Sequence, residues 1–267
     1  MTQPLPSAPT ADSVRFFERD GDAYRREVVA SEVFAERFRL FDLRIAQARA
    51  NLAGTPRYID LGCGPGTLLK SAARRGYRCV GIDGSERMLQ AAADATQGIG
   101  AEVELVCSGL PLATPLLERL RGSAHVVVAS SVIEYLDDEQ AFAGQVATLL
   151  APGGTALVSF PNRHSLYRRA QSLLPPRLQP PYLAVQRRQY DRRAAAALLG
   201  SADLSVQEVR YFGVPDRLRG VWRSSHRQPA WLSNLILVRA LAPPSGFAGE
   251  HTDSGRSRDT PPAQEAR

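Results

Sequence analysis

Lysine is almost absent from this chain of 267 residues: Lys70 stands alone, and arginine supplies the rest of the 33 basic side chains. Cysteine is scarce and odd in number. Cys63, Cys79 and Cys107 lie in or beside expected strands and read as small buried thiols, not as a disulfide framework. No Cys/His spacing fits zinc, so no metal is expected. No apolar run approaches the roughly 20 residues that cross a bilayer. Residues 1–11 are rich in Pro, Ser and Thr without a hydrophobic segment, so no signal peptide is expected and the reading is a cytoplasmic protein. Internal repeats are lacking too. What is present suits one large α/β domain with additions, with ordinary apolar (44%) and charged (22%) fractions.

The formal charge of +6 is unevenly placed. Residues 1–160 carry 16 basic and 19 acidic side chains, whereas residues 161–242 carry 14 arginines against 4 acids. Such a field attracts anionic substrates, membrane surfaces or nucleic acid. A chain-wide preference for Arg over Lys, as a GC-rich genome produces, accounts for it as well. Both readings stay open at this level.

The stretch Tyr58-Ile59-Asp60-Leu61-Gly62-Cys63-Gly64-Pro65-Gly66-Thr67 organises the rest. It begins as a buried strand, turns through glycines at alternate positions, and enters a helix from Leu68 to Arg75. Glycine is needed where φ is positive or where a ligand must meet bare backbone. Such a unit cradles a nucleotide at the carboxyl end of a parallel strand. Tyr77 to Asp83 reads as a second strand ending on an acid, about 20 residues beyond the glycines. An acid there can accept both hydroxyls of a ribose.

Further strands are expected at 102–107, 125–129, 155–160, 204–212 and 233–239. Helices are expected at 86–95 (capped by Ser85), 138–150 and 191–199. Residues 13–52 read as helices, with Ser31 as a cap between two of them and a lid role for 13–53. Strands alternating with helices imply a parallel sheet with right-handed crossovers. Residues 161–190, rich in Pro, Arg and Gln, read as an insertion over the cleft. The ends, 1–12 and 243–267, read as disordered around a domain spanning 13–242.

Four motifs in order carry a resemblance: Asp60 to Thr67, then Gly81-Ile82-Asp83-Gly84-Ser85, then Ala129-Ser130-Ser131-Val132-Ile133-Glu134-Tyr135-Leu136, then Leu149 to Gly154. In this order they are similar to the class I S-adenosylmethionine-dependent methyltransferases, particularly the small-molecule branch that includes the ubiquinone-biosynthesis O-methyltransferases. The resemblance covers residues 55–160 in detail and the closing strands in outline. It implies a Rossmann-like doubly wound sheet of seven strands, mostly parallel with the last antiparallel, plus N-terminal helices and a cap insertion. It also implies S-adenosyl-L-methionine as cofactor. Asp60, Gly62, Cys63, Gly64 and Gly66 would form the methionyl-side loop, and Asp83 and Gly84 would hold the ribose. Ser108, Gly109 and Leu110 would meet the adenine, in a place where the family often has an acid. Ser130 would complete the cofactor set.

On the acceptor side the resemblance places Ser131 and Glu134, with Tyr135 where the family has a histidine. Tyr24 with Arg25, and Tyr167 among Arg168, Arg169, Tyr182 and Tyr190, are candidate cover residues for an anionic or aromatic small-molecule acceptor. Those aromatics can equally serve only to pack the insertion down. His164, just beyond the fifth strand, is the candidate base, which a phenolic acceptor with a pKa near 10 would use. His125 reads as structural. Most acceleration in methyl transfer comes from alignment, which supplies roughly 7–11 kcal/mol.

The leading expectation is therefore methyl transfer to a small molecule, on oxygen before nitrogen or carbon. Nucleic-acid methylation is the alternative raised by the basic half, but the Asn/Asp-Pro-Pro-aromatic tetrad is missing after the fourth strand. A third reading keeps the fold without turnover at a membrane surface, with Trp231 to Val238 as an interfacial anchor; the length of that stretch fits a sheet strand better. A nicotinamide enzyme is disfavoured by the glycine spacing. The sequence leaves the oligomeric state undetermined.

Overall fold

The computed structural model describes residues 13–19, 32–179, 183, 185–214 and 228–245. Within them one seven-stranded sheet runs in the order β3-β2-β1-β4-β5-β7-β6. The strands are β1 (Arg57–Leu61), β2 (Arg78–Asp83), β3 (Val103–Cys107), β4 (Ala124–Ala129), β5 (Leu150–Pro161), β6 (Ser205–Phe212) and β7 (Leu235–Leu241). The pairs β1–β2, β1–β4, β2–β3 and β4–β5 are parallel. The last strand, β7, enters between β5 and β6 and is antiparallel to both. This is the architecture expected from the four motifs.

Helix α1 covers residues 13–19. It is followed by α2 (Glu32–Ala50), α3 (Thr67–Arg74), α4 (Glu86–Thr96), α5 (Thr114–Leu120), α6 (Glu139–Leu149), α7 (Leu166–Ser172) and α8 (Arg192–Gly200). Alternation along the strands sends neighbouring residues to opposite faces. Ile59, Leu61, Val127, Ala129 and Val158 face a core closed by α5, α6 and α8. Tyr58, Val126, Val128 and Leu157 face the other, where Phe41 and Ile45 of α2 meet Leu69 and Ala72 of α3. The site loops emerge at the carboxyl ends of β1, β2, β3 and β4, between these two layers.

Polar side chains start the helices where the sequence placed them. Ser85 Oγ accepts from Met88 N at 3.2 Å, and Glu86 lies in the first turn of α4. Asp138 and Asp191 cap α6 and α8 in the same way, accepting from Ala141 N and Ala194 N. His125 is structural, its Nδ1 accepting from Arg57 N at 3.1 Å.

Several details depart from expectation. Helix α5 was not among the expected elements; its Pro115 sits in the first turn, where the missing N–H has no consequence. The insertion contains α7. Strand β5 begins at Leu150, since Leu150 pairs with Ala124 across a register shift before the main ladder resumes at Thr155. Cys63 and Cys79 are buried as expected, but Cys107 is exposed because β3 is the edge strand. Ser31, Tyr24, Arg25 and Tyr182 lie outside the described residues, as do residues 1–12 and 246–267 of the two ends expected to be disordered.

Candidate functional site

The glycine loop is pinned before it turns. Gly62 N and Cys63 N both donate to Ile82 O, at 2.7 and 3.0 Å, so the end of β1 is tied to β2. Gly62, Gly64 and Gly66 have φ of +69°, +51° and +74°, a region costly for side chains. Space forbids side chains at two of them as well. A Cβ on Gly62 would lie 2.5 Å from Val132 Cγ2, and one on Gly66 would lie 2.8 Å from the Ala92 backbone. Gly66 also starts α3, its carbonyl accepting from Lys70 N at 2.8 Å.

The acid at the end of β2 holds this loop. Asp83 Oδ2 accepts from Gly64 N and Oδ1 from Ser85 N, each at 2.9 Å. Each oxygen keeps a further lone pair for a ligand. Burial pushes the Asp83 pKa up, and the two backbone donors oppose that shift.

A cleft opens above these residues. Its first arm is lined by Gly62, Asp83, Gly84, Met88, Ser108 to Leu110, Ser130 to Val132 and Tyr135, and it holds roughly 650 Å³ including its mouth, within the range of about 300–1,000 Å³ usual for ligand sites. Helix α1 roofs it. Val14 Cγ2 fills the space a side chain on Gly84 would need, and Phe17 stacks edge-on against Tyr135 with centroids 5.5 Å apart. Glu18 accepts from the Ser85 hydroxyl, fastening α1 to the start of α4.

The second arm is lined by Arg37, Asp60, Gly62, Cys63, Gly64, Pro65 and Ser130. Asp60 is 2% exposed and receives a hydrogen bond from Tyr58 Oη at 3.1 Å. Burial raises its pKa to about 7; the Tyr58 bond opposes the rise and the nearby Asp83 charge adds to it. The same arm is lined by Arg37, whose Nη1 donates to Ser131 Oγ at 2.6 Å and whose guanidinium lies 4.1 Å over the Phe34 ring. Its Nε and the hydroxyl of Ser130 are buried without hydrogen-bond partners among the described residues. A buried carboxylate, a buried guanidinium and unpartnered polar atoms around one space fit a ligand with an ammonium and a carboxylate end. Arg37 was not anticipated. The signal was present, since it interrupts the apolar stripe Phe34, Phe38, Phe41 and Ile45 on α2.

With this geometry in place, comparison with known proteins decides the family. Residues 33–209 match the model described as a methyltransferase domain. The chain belongs to that family. Among curated methyltransferases it is similar to the ubiquinone biosynthesis O-methyltransferase of Ralstonia nicotianae, 30% identical over 191 residues, which are 71% of this chain and 69% of that protein. The protein of the same name from Cupriavidus pinatubonensis is 35% identical over 117 residues, 43% of this chain and 45% of the relative. Among solved structures, the magnesium protoporphyrin IX methyltransferase of Synechocystis PCC 6803 has a TM-score of 0.63 at 19% identity, covering 88% of this chain and 99% of that one. The N-methyltransferase NodS of Bradyrhizobium japonicum WM9 has a TM-score of 0.58 at 15% identity, with coverages of 88% and 99%. These two likenesses bear on the fold.

In this methyltransferase the cofactor candidates Asp60, Gly62, Cys63, Gly64, Asp83, Gly84, Ser108, Gly109, Leu110 and Ser130 all line one arm or the other. Gly66 lies behind the loop against Ala92. Ser108 Oγ turns back to Gly109 O at 3.1 Å. Ser131 lines the first arm with φ +58°, its N–H donating to Ser159 Oγ at 2.8 Å. Glu134 sits in a single 3-10 turn, Ile133–Tyr135, and its Oε2 is buried without a hydrogen-bond partner among the described residues. Burial raises its pKa, against Arg168, Arg37 and the Ser131 hydroxyl.

The acceptor-side candidates from the insertion are not brought to the cleft. His164 is exposed on the turn after β5, its backbone N–H donating to Asn162 Oδ1 at 3.0 Å, and it is not among the residues lining either arm. Tyr167 is exposed on α7. Tyr190 packs inward against Phe160, with centroids 5.0 Å apart, and its hydroxyl bonds to Glu139.

Proposed function

We propose that this chain transfers a methyl group from S-adenosyl-L-methionine to a small-molecule acceptor, with oxygen as the methylated atom. The observation that supports the reading is the second arm, where a buried carboxylate (Asp60), a buried guanidinium (Arg37) and the glycine loop line one space. Asp60 would hold the ammonium of the cofactor's methionyl end, Arg37 its carboxylate, and Asp83 its ribose. When bound, the cofactor supplies a methyl group already activated on a sulfonium. The protein's own work is then to exclude water and set the line of attack, worth roughly 7–11 kcal/mol. Helix α1 excludes water through Val14 and Phe17. Ser131 and Tyr135 line the acceptor-facing wall.

Oxygen is favoured by the curated relatives, both O-methyltransferases. The acceptor is read as a small aromatic or anionic molecule, on the strength of Phe17 and Tyr135 and the arginine-rich second half. With His164 outside the cleft lining, alignment carries the reaction.

Calorimetric titration with S-adenosylhomocysteine tests the proposal. Micromolar binding by the wild type, lost in Asp83→Ala and kept in His164→Ala, is the expected result. No binding by folded wild-type protein would overturn it and leave the fold without its cofactor.

A further inference from the structure

Methyl transfer to a hydroxyl releases a proton, and no described histidine lines either arm of the cleft. The shape of the cleft shows where that proton appears. Gly62, Gly64 and Ser130 line both arms, so the arms meet at these residues. A cofactor with its ribose in the first arm and its methionyl end in the second has its sulfur at that junction. Ser131 is next to it, lining the first arm and bonded through its hydroxyl to Arg37 of the second.

Ser131 is held there against its own preference. Its φ of +58° lies in the left-handed region that side chains rarely adopt, and its N–H is fixed by Ser159 Oγ at 2.8 Å. Strained residues of this kind gather at functional sites. A hydroxyl has one proton to give and two lone pairs to receive with. Arg37 Nη1 occupies one lone pair, and the hydroxyl acts as a donor toward the Glu134 carboxyl three residues on. The second lone pair is left for a donor in the cleft.

Glu134 lies at the far end of this path. It is 3% exposed, and its Oε2 has no hydrogen-bond partner among the described residues. Arg37 from α2, Arg168 from α7 and Tyr190 from the end of the insertion face it. Burial pushes its pKa up, while the two arginines and the Ser131 hydroxyl hold it down; burial keeps Tyr190 protonated. The surroundings are fastened from behind. Arg168 donates from Nε to Asn234 O at 3.0 Å and from Nη1 to Gln186 Oε1 at 2.8 Å. Arg187 N donates to Glu134 O at 2.8 Å. A carboxylate so enclosed can receive a proton without meeting solvent.

We propose that Ser131 takes the proton of the acceptor's hydroxyl and passes its own to Glu134. Ser131 is then the catalytic residue, touching the acceptor, and Glu134 the positioning residue that acts through it. The acceptor's O–H bond breaks and leaves its electron pair on the oxygen that attacks the methyl group. Ser131 gains one O–H bond as it gives up another, and a new O–H bond forms on Glu134. Negative charge moves from Glu134 to the acceptor oxygen, and the total is unchanged. The proton returns to solvent by the reverse path after the product leaves. This inference rests on the reading of the chain as an O-methyltransferase.

The test uses 4-nitrocatechol, a phenol whose absorption moves to longer wavelength on ionising. It is titrated with pH in the presence of the full chain saturated with sinefungin, which carries an ammonium in place of the sulfonium. Bound to the wild type, the probe should ionise about one pH unit or more below its value in water. Glu134→Gln and Ser131→Ala should lose that shift, while folding as the wild type by circular dichroism. Methylation of the same probe should fall about 100-fold in kcat in both variants, with KM within about twofold. Glu134→Gln ionising the probe as well as or better than the wild type would overturn the proposal, because removing a charge that merely faces the site favours the anion. An intact shift in Ser131→Ala, where every charge is kept, would overturn it whatever Glu134→Gln does. So would an unbound or unshifted probe in wild-type protein that binds S-adenosylhomocysteine, and the methyl-transfer reading would then stand without the relay. Wild-type protein that does not bind S-adenosylhomocysteine overturns both.

Discussion

Replacing Asp60 by Asn should make the cofactor-free protein more stable and the cofactor site worse. The carboxyl is 2% exposed, receives a hydrogen bond from Tyr58, and lies near the charge of Asp83. Its pKa rises from the usual 3.8 to about 7 on folding. Between those values the folded chain holds a proton that the unfolded chain has lost, so stability falls as pH rises from 4 to 7 and is level above. At pH 8 the ionised group costs up to about 4 kcal/mol, a ceiling lowered by relaxation and water entry. Asn keeps an oxygen for Tyr58 and carries no charge. If half the ceiling is realised, the variant melts about 4–8 °C above the wild type at pH 8, and the gap closes toward pH 4. Binding tells the other half. Wild-type affinity for S-adenosylhomocysteine should drop roughly tenfold per pH unit below 7, because the ammonium needs the ionised carboxyl. The variant should bind weakly without that slope. Scanning calorimetry and titration between pH 5 and 8 measure both. A variant that melts lower than the wild type at pH 8, or wild-type affinity that is flat from pH 6 to 8, refutes the reasoning.

Two further outcomes are expected. Arg37→Gln should weaken S-adenosylhomocysteine binding by about tenfold or more, since a charge-assisted contact contributes about 1.5–3 kcal/mol, while decarboxylated analogues of the ligand should bind both proteins alike. Gly66→Ala should cost at least about 1–3 kcal/mol in denaturant unfolding, because φ is +74° and the new Cβ meets the Ala92 backbone at 2.8 Å; an unchanged midpoint would show that α4 yields freely.

What the sequence made legible was local. The glycines, Asp83 and the Ser85 cap act within a few residues of themselves or through one strand pairing, so spacing reveals them. Asp60 was recognised by its place in the loop, but its bond to Tyr58 follows from two residues on one face of β1. Arg37 meets Ser131 across 94 positions, a closeness no periodicity records. His164 shows the opposite failure. Its position after β5 was read correctly, but its direction depends on Asn162, whose amide donates to Ala230 O and Ser233 O and whose Oδ1 holds the His164 N–H. The aromatics of the insertion divided by anchoring: Tyr190 is pulled inward and Tyr167 is left outside.

The place of β7 has a consequence for synthesis. While the chain emerges from the ribosome, β5 and β6 are available well before Leu235–Leu241, yet in the finished sheet neither touches the other except through that strand. The seven buried positions of β5 that pair with β7, Thr155 to Pro161, must therefore wait with one edge open until residue 241 has left the exit tunnel. A nascent chain stalled before that point would present the same strand edge to its neighbours on a polysome, which makes the last strand the step at which a chaperone has most to protect.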